Sequence, residues 1–104
     1  GATVRVEFDV GGFYPVTYNN IPLGERMKRS LIEATNGNFA EITRRTGAED
    51  FSYFSQEIPG LYIFLGVNDP GKLEQAGNHS PYFTVNDDAL DEGLKSLVYM
   101  TIDY

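Results

Sequence analysis

Apolar and polar positions alternate at the start of the chain and recur at helical spacing further on. In residues 3–10 every second side chain is apolar, a period of two that predicts a half-buried strand. Asn19-Asn20 then suits a helix cap, Pro22 fits the first helical turn, and Asn36-Gly37 suits the end of a helix. The residues expected on the inner face of this helix are Leu23, Met27, Leu31 and Ala34.

The second half of the chain predicts a buried strand between two further helices. The apolar run 61–67 lies between Pro59-Gly60 and a turn sequence at 68–71, and its length is typical of a strand covered on both faces. Residues 39–44 give a weaker strand pattern. A short helix is expected near Phe51 and Phe54, and a longer one after a cap at Asn86 or Asp87. The expected inner stripe of the longer helix is Leu90, Leu94, Leu97, Val98 and Thr101.

These elements follow one another in the order β-α-β-α-β-α, which predicts an α/β fold with helices packed on a mostly buried sheet. The first strand is half wet, whereas the run 61–67 is apolar throughout. The two strands therefore belong to different sheets, and we place a boundary near Asn19. This gives two units, residues 1–18 and residues 19–104.

Composition and charge limit the partners that the chain can have. The net charge is −7 over 104 residues, so the phosphates of a nucleic acid would be repelled. No basic amphipathic stretch and no apolar run of about 20 residues is present, which argues against a membrane partner. Seven Tyr and seven Phe argue against disorder. We therefore expect a small globular domain, or a piece of a larger one, that binds neither nucleic acid nor membrane.

Two places in the sequence offer chemistry. His79 is the only histidine, and it lies in the loop that follows the run 61–67, where α/β proteins place ligand sites. Catalytic zinc needs about three protein ligands, so on local features alone a solvated side chain is the simpler interpretation. Glu49 and Asp50 either complement the dipole of a short helix or lie beside N–H groups near Gly47 that hold a substrate carboxylate.

Several short segments, taken in order, resemble the C-terminal part of the zinc-type amidohydrolases and metallopeptidases. This family includes aminoacylases, hippurate hydrolases and indole-acetyl-amino-acid hydrolases. The resemblance covers about residues 15–104, and the segments that carry it are 47–52, Pro59-Gly60, 64–66, 79–81 with Phe83, and Ala89-Leu90 with Gly93. It implies that residues 19–104 are the C-terminal piece of a layered α/β catalytic domain. Residues 1–18 would be the end, including the last strand, of an inserted lid or dimerisation domain.

The resemblance also implies a reaction and a set of roles. The parent would be a metal-dependent hydrolase of N-acyl amino acids or small peptides, with two divalent metal ions, expected to be Zn²⁺, in each site. His79 would be the last metal ligand, and Gly47, Glu49 and Asp50 would belong to the substrate pocket. The general base would lie upstream, so this chain would contain no catalytic residue, bind no metal tightly and be inactive alone. The parent would form a homodimer through the lid and be cytoplasmic, or periplasmic if it carries a signal peptide.

Two other classes of protein fit the sequence. One is a small acidic α/β binding or interaction module without catalysis, which would use the loop 68–81 to contact a partner. The other is a structural or assembly fragment with an exposed apolar face that belongs against missing domains. Upstream sequence without metal-ligand pairs would favour the first, and self-association of the chain would favour the second.

Overall fold

Three helices form the regular structure of the residues that the computed structural model describes, 1–7 and 12–104. The helices are α1 (Ile21–Ala34), α2 (Phe51–Glu57) and α3 (Asp88–Asp103). Turns and extended backbone join them. None of these helices combines the length and the apolar character that crossing a bilayer requires.

α1 confirms the helix predicted from the sequence. The Asn20 side chain accepts a hydrogen bond from the Leu23 N–H at 3.0 Å and caps the first turn. The helix ends where Asn36 and Gly37 take left-handed conformations, with φ of 49° and 84°. Three of its four predicted inner residues are buried and the fourth, Leu23, is half-buried. The buried ones are Met27, Leu31 and Ala34.

The α/β fold class predicted from the sequence is wrong, because residues 1–7 and 12–104 contain no strand and no sheet. Residues 3–7 are irregular, and residues 8–10 of the predicted first strand lie outside the described residues. A strand is stable only when a neighbour pairs with its N–H and C=O groups, and no described segment supplies such a ladder to residues 39–44 or 61–67. The layered α/β domain and the strand of a lid before it are therefore not seen.

The run 61–67 is extended but partly exposed, whereas the sequence predicted burial on both faces. The exposed fraction of Phe64 is 64%. Hydrogen bonds hold the segment near both of its ends: the Asn20 N–H donates to the Gly60 carbonyl at 2.9 Å, and the Asn86 N–H donates to the Val67 carbonyl at 2.9 Å. The segment therefore connects the start of α1 to the start of α3.

α3 packs against α1, and the buried residues of α3 are small. Ala89 and Ser96 are buried, while Leu90, Leu94 and Leu97 are exposed. The predicted inner stripe of leucines is therefore wrong: it faces outward. At the far end of the helix, the Ser30 hydroxyl of α1 donates to Asp103 at 2.5 Å. A Cβ built on Gly93 would lie 2.8 Å from Cδ2 of Leu65, so the absence of a side chain there lets Leu65 approach the helix.

Candidate functional site

The loop that enters α2 carries the three predicted substrate-binding residues. Gly47 and Asp50 are exposed, and Glu49 is half-buried. The Ser52 N–H donates to the Glu49 carbonyl at 3.1 Å, and the Tyr53 N–H donates to the Asp50 carbonyl at 3.0 Å. These two N–H groups at the helix start therefore already donate to backbone carbonyls. A substrate carboxylate could accept from them only if those hydrogen bonds broke.

Tyr62 joins this loop to the extended segment 61–67. The nearby Glu49 carboxylate raises the pKa of the Tyr62 phenol above its ordinary value, chiefly through hydrogen bonding, with partial burial and the negative charges of Glu49 and Asp50 adding to the effect. The ring lies 5.4 Å from the centroids of both Phe51 and Phe64. Glu49 and Asp50 thus face a phenol held among aromatic rings, a neighbourhood in which a small amphipathic substrate has both polar and apolar partners.

A side-chain amide fixes the backbone of Tyr62. Asn19 accepts a hydrogen bond from the Tyr62 N–H at 2.6 Å and donates one to the Tyr62 carbonyl at 2.9 Å. One carboxamide thereby satisfies both backbone groups of Tyr62, as a neighbouring strand would. Asn19 and Asn20 were both read as helix caps from the sequence, but only Asn20 caps α1.

Ser52, in the first turn of α2, is buried. Its side chain is fully covered, and its hydroxyl has no hydrogen-bond partner among the described residues. Gly60 lies against the same helix, because a Cβ built on it would meet the Phe51 ring at 3.1 Å and Ser55 at 3.4 Å. The burial of Ser52 indicates a structural role in α2.

His79 lies on a tight turn after the segment 61–67. The Ser80 N–H donates to the Gly77 carbonyl at 2.9 Å and closes the turn, and the Ser80 hydroxyl accepts from the Tyr82 N–H at 3.1 Å. The imidazole is exposed. The turn therefore leaves the His79 side chain exposed at the surface.

A zinc ion needs about three protein ligands, and the described part of the chain does not bring that many together. Within residues 1–7 and 12–104 there is no group of three or more His, Cys, Asp and Glu that could hold a metal ion. His79 therefore has no set of partner ligands around it among these residues. We derive no chemical step through a metal from these residues.

Sequence reasoning missed Tyr62 and the second role of Asn19. Tyr62 lies inside an apolar run and was counted as part of a buried strand. The available signal was its hydroxyl, since a buried tyrosine usually finds a polar partner. Its pairing with Glu49, thirteen residues away, depends on how the chain folds back and has no mark in the local sequence.

Comparison with known proteins gives one family. Residues 3–103 match the model of Peptidase family M20/M25/M40. Among curated proteins, the chain is 33% identical over 104 residues to IAA-amino acid hydrolase ILR1-like 4 of Arabidopsis thaliana, covering 99% of this chain and 24% of that protein. It is 35% identical over 104 residues to thermostable carboxypeptidase 2 of Saccharolobus solfataricus, covering 100% of this chain and 26% of that protein.

A third relative is N-acetyldiaminopimelate deacetylase of Lacticaseibacillus paracasei, which is 32% identical over 96 residues, covering 92% of this chain and 24% of that protein. The chain thus spans about a quarter of the length of the curated relatives that it matches. No solved structure matches the chain.

Proposed function

This chain belongs to Peptidase family M20/M25/M40, and from that premise we propose that it is part of a hydrolase that cleaves the amide bond of N-acyl amino acids or small peptides. The observation that carries the proposal is the family match over residues 3–103, together with relatives that are hydrolases. The chain would contribute one metal ligand and part of the substrate pocket to the whole protein.

The relatives' names support this substrate class. They specify an amino-acid conjugate of IAA, a carboxypeptidase substrate and an N-acetylated diaminopimelate. Each of these contains an amide next to an amino-acid unit, which is the feature we assign to the substrate here. The aromatic rings around Tyr62 suit the apolar part of such a molecule, and the Glu49 carboxylate can accept a hydrogen bond from its amide N–H.

His79 is the metal ligand in this proposal. Two divalent ions, expected to be Zn²⁺, would polarise the amide carbonyl and lower the pKa of a bound water when present. The exposed imidazole on its closed turn is suited to meet ligands supplied by the rest of the protein. The general base belongs to that other part as well, so the chain by itself has no hydrolase activity.

Gly47, Glu49 and Asp50 are the pocket residues in this proposal. The Glu49 carboxylate raises the pKa of the Tyr62 phenol, so this loop lies near the segment 61–67. A Cβ built on Gly47 would meet no other group within 4 Å, so the chain leaves the space beside this residue open. Gly47 precedes Glu49 and Asp50 by two and three residues, and their carboxylates favour a hydrogen-bond donor of the substrate over its apolar end.

Substitution of His79 in the full-length protein tests the proposal. His79→Ala should remove bound zinc and lower kcat/KM for an N-acyl amino acid by at least about 100-fold, because residues that only support metal ligands already cost about 10–100-fold. Asn78→Ala, on the same exposed turn, is the matched control and should keep metal and activity. Zinc content by mass spectrometry and initial rates are the two readouts. Full metal content and unchanged rates in His79→Ala would overturn the assignment.

A further inference from the structure

The leucine stripe of α3 is an exposed apolar surface, and no segment within residues 1–7 and 12–104 covers it. The exposed fractions are 55% for Leu90, 62% for Leu94 and 61% for Leu97. Their spacing of four and three residues places them in one row on the helix. We call Leu90, Leu94 and Leu97 the leucine row. A row of this kind is the usual contact surface of a packed amphipathic helix.

The whole chain exposes more surface than a folded domain of its mass. Its accessible surface is 9039 Å², whereas a compact monomer of 11.6 kDa exposes about 5,800 Å². Its radius of gyration is 17.8 Å, compared with about 13 Å for a compact domain of this length. Among the residues that the structure describes, four hydrophobic ones are buried: Met27, Leu31, Ala34 and Ala89. The chain therefore leaves apolar surface that other polypeptide could cover.

The size of that deficit bears on what covers the surface. The excess is roughly 3,200 Å² by the same scaling. An obligate dimer buries about 2,000–5,000 Å² over both partners, which is about 1,000–2,500 Å² on each. The excess exposed surface is larger than the surface that one copy buries in such a dimer. A larger enclosing polypeptide therefore accounts for it better than a second copy does.

The charges around the leucine row also disfavour a second copy. Asp87, Asp88 and Asp91 lie at the start of α3, beside Leu90 and Leu94. In an antiparallel pair of α3 helices these carboxylates would face the last turn of the other copy, which contains no basic residue. In a parallel pair they would face one another. A partner with lysine or arginine at this end satisfies them, because opposite charges meet.

We propose that the leucine row is an internal docking surface for the rest of an M20 polypeptide, and that the segment covering it is apolar with basic residues facing Asp87, Asp88 and Asp91. The proposal rests on the function proposed above and on the length of the relatives, of which the chain covers 24% to 26%. In this proposal, docking at the leucine row also brings the His79 turn to the other metal ligands. α3 is the anchor, because its backbone is bonded through Asn86 to the segment that leads to that turn.

The test is reconstitution from two pieces. The rest of the polypeptide encoded with this chain is expressed separately and titrated with the chain by calorimetry. Leu94→Glu should weaken binding at least ten-fold, and raising the salt concentration should weaken binding of the unsubstituted chain because charge pairs are screened. Leu73→Glu is the matched control, since Leu73 is fully exposed in a loop, and it should bind unchanged. Circular dichroism of the two variants should match the parent chain, because both positions are exposed.

Each outcome decides the matter. Equal affinity of Leu94→Glu and the unsubstituted chain would overturn the proposal, as would a reading frame that encodes no further polypeptide. Self-association of the chain that Leu94→Glu abolishes would assign the surface to a second copy and overturn it as well. Docking through the leucine row in a protein without hydrolase activity would refute only the proposed function. Zinc-dependent hydrolysis without docking at Leu94 would refute only the present inference.

Discussion

α1 and α3 have the same kind of apolar spacing in the sequence, yet they use it in opposite ways. In α1 the predicted stripe is inside, and Met27 is 2% exposed. In α3 the predicted stripe is outside, and Leu94 is 62% exposed, while the small residues Ala89 and Ser96 are buried. Periodicity therefore identifies the face of a helix that avoids water but does not identify what covers that face. In α3 we infer that the cover is another part of the protein.

The largest expected effect separates the two helices directly. Met27→Ala should lower the free energy of unfolding of the chain by about 2–5 kcal/mol, because it opens a cavity in a very small core. Leu94→Ala should change it by no more than about 0.5 kcal/mol, as expected of an exposed position. Urea denaturation followed by circular dichroism measures both. Similar losses in the two variants would mean that the leucine row is packed in the isolated chain.

The inward face of α3 gives the next largest effect. Ser96 is buried, and its hydroxyl donates to the Glu92 carbonyl at 2.7 Å. Ser96→Leu should destabilise the chain by about 1–3 kcal/mol, because extra carbon atoms must fit into a filled space. Lys95→Leu, one position away on the exposed side, is the control and should cause little change. Stabilisation by Ser96→Leu would reverse the assignment of the two faces.

Local signals in the sequence were sufficient for the helices but not for the strands. The Asn20 cap, the left-handed Asn36-Gly37 and the spacing of Met27 and Leu31 act within a few residues of one another, and the structure confirms α1. The run 61–67 has strand-like residues, but strand structure requires a hydrogen-bonded neighbour, and the described segments provide none. The prediction of an α/β layer failed for that reason.

The candidate site was predictable only in part. Gly47, Glu49, Asp50 and His79 were chosen from motif resemblance, and their roles stay predictions. The contact between Tyr62 and Glu49 joins separate segments, so no local pattern marks it. The outward turn of the leucine row was equally hidden, because it depends on which face of α3 meets α1.

A smaller effect is expected where α1 meets the extended segment. Asn19→Ala removes both hydrogen bonds to Tyr62. It should lower the free energy of unfolding by about 0.5–1.5 kcal/mol, which is less than two buried hydrogen bonds would contribute, because these bonds are exposed. Asn19→Asp keeps the acceptor for the Tyr62 N–H and loses the donor, so it should cost less than Asn19→Ala. Unfolding in urea ranks the two variants. Equal costs would show that the Asn19 acceptor, 2.6 Å from the Tyr62 nitrogen, contributes nothing.

The smallest effect concerns the titration of Tyr62. Because Glu49 raises the pKa of this phenol, the folded state holds the proton more tightly than the unfolded chain does. The stabilising contribution is therefore present below the ordinary tyrosine pKa of about 10 and is lost as the pH rises through the folded value. Glu49→Gln should bring the pKa back towards its ordinary value. The difference in tyrosinate absorbance between each protein and its Tyr62→Phe variant isolates one tyrosine of seven, and an unmoved titration would remove Glu49 as the cause.

The most direct test of the account asks whether the leucine row is covered in the longer protein. The chain contains no cysteine, so Leu94→Cys introduces a single thiol whose labelling rate reports exposure, with peptide mass spectrometry locating the label. We predict rapid labelling in the 104-residue chain and at least ten-fold slower labelling in the full-length protein, while Leu73→Cys labels rapidly in both. Equal labelling of residue 94 in the two proteins would contradict the account.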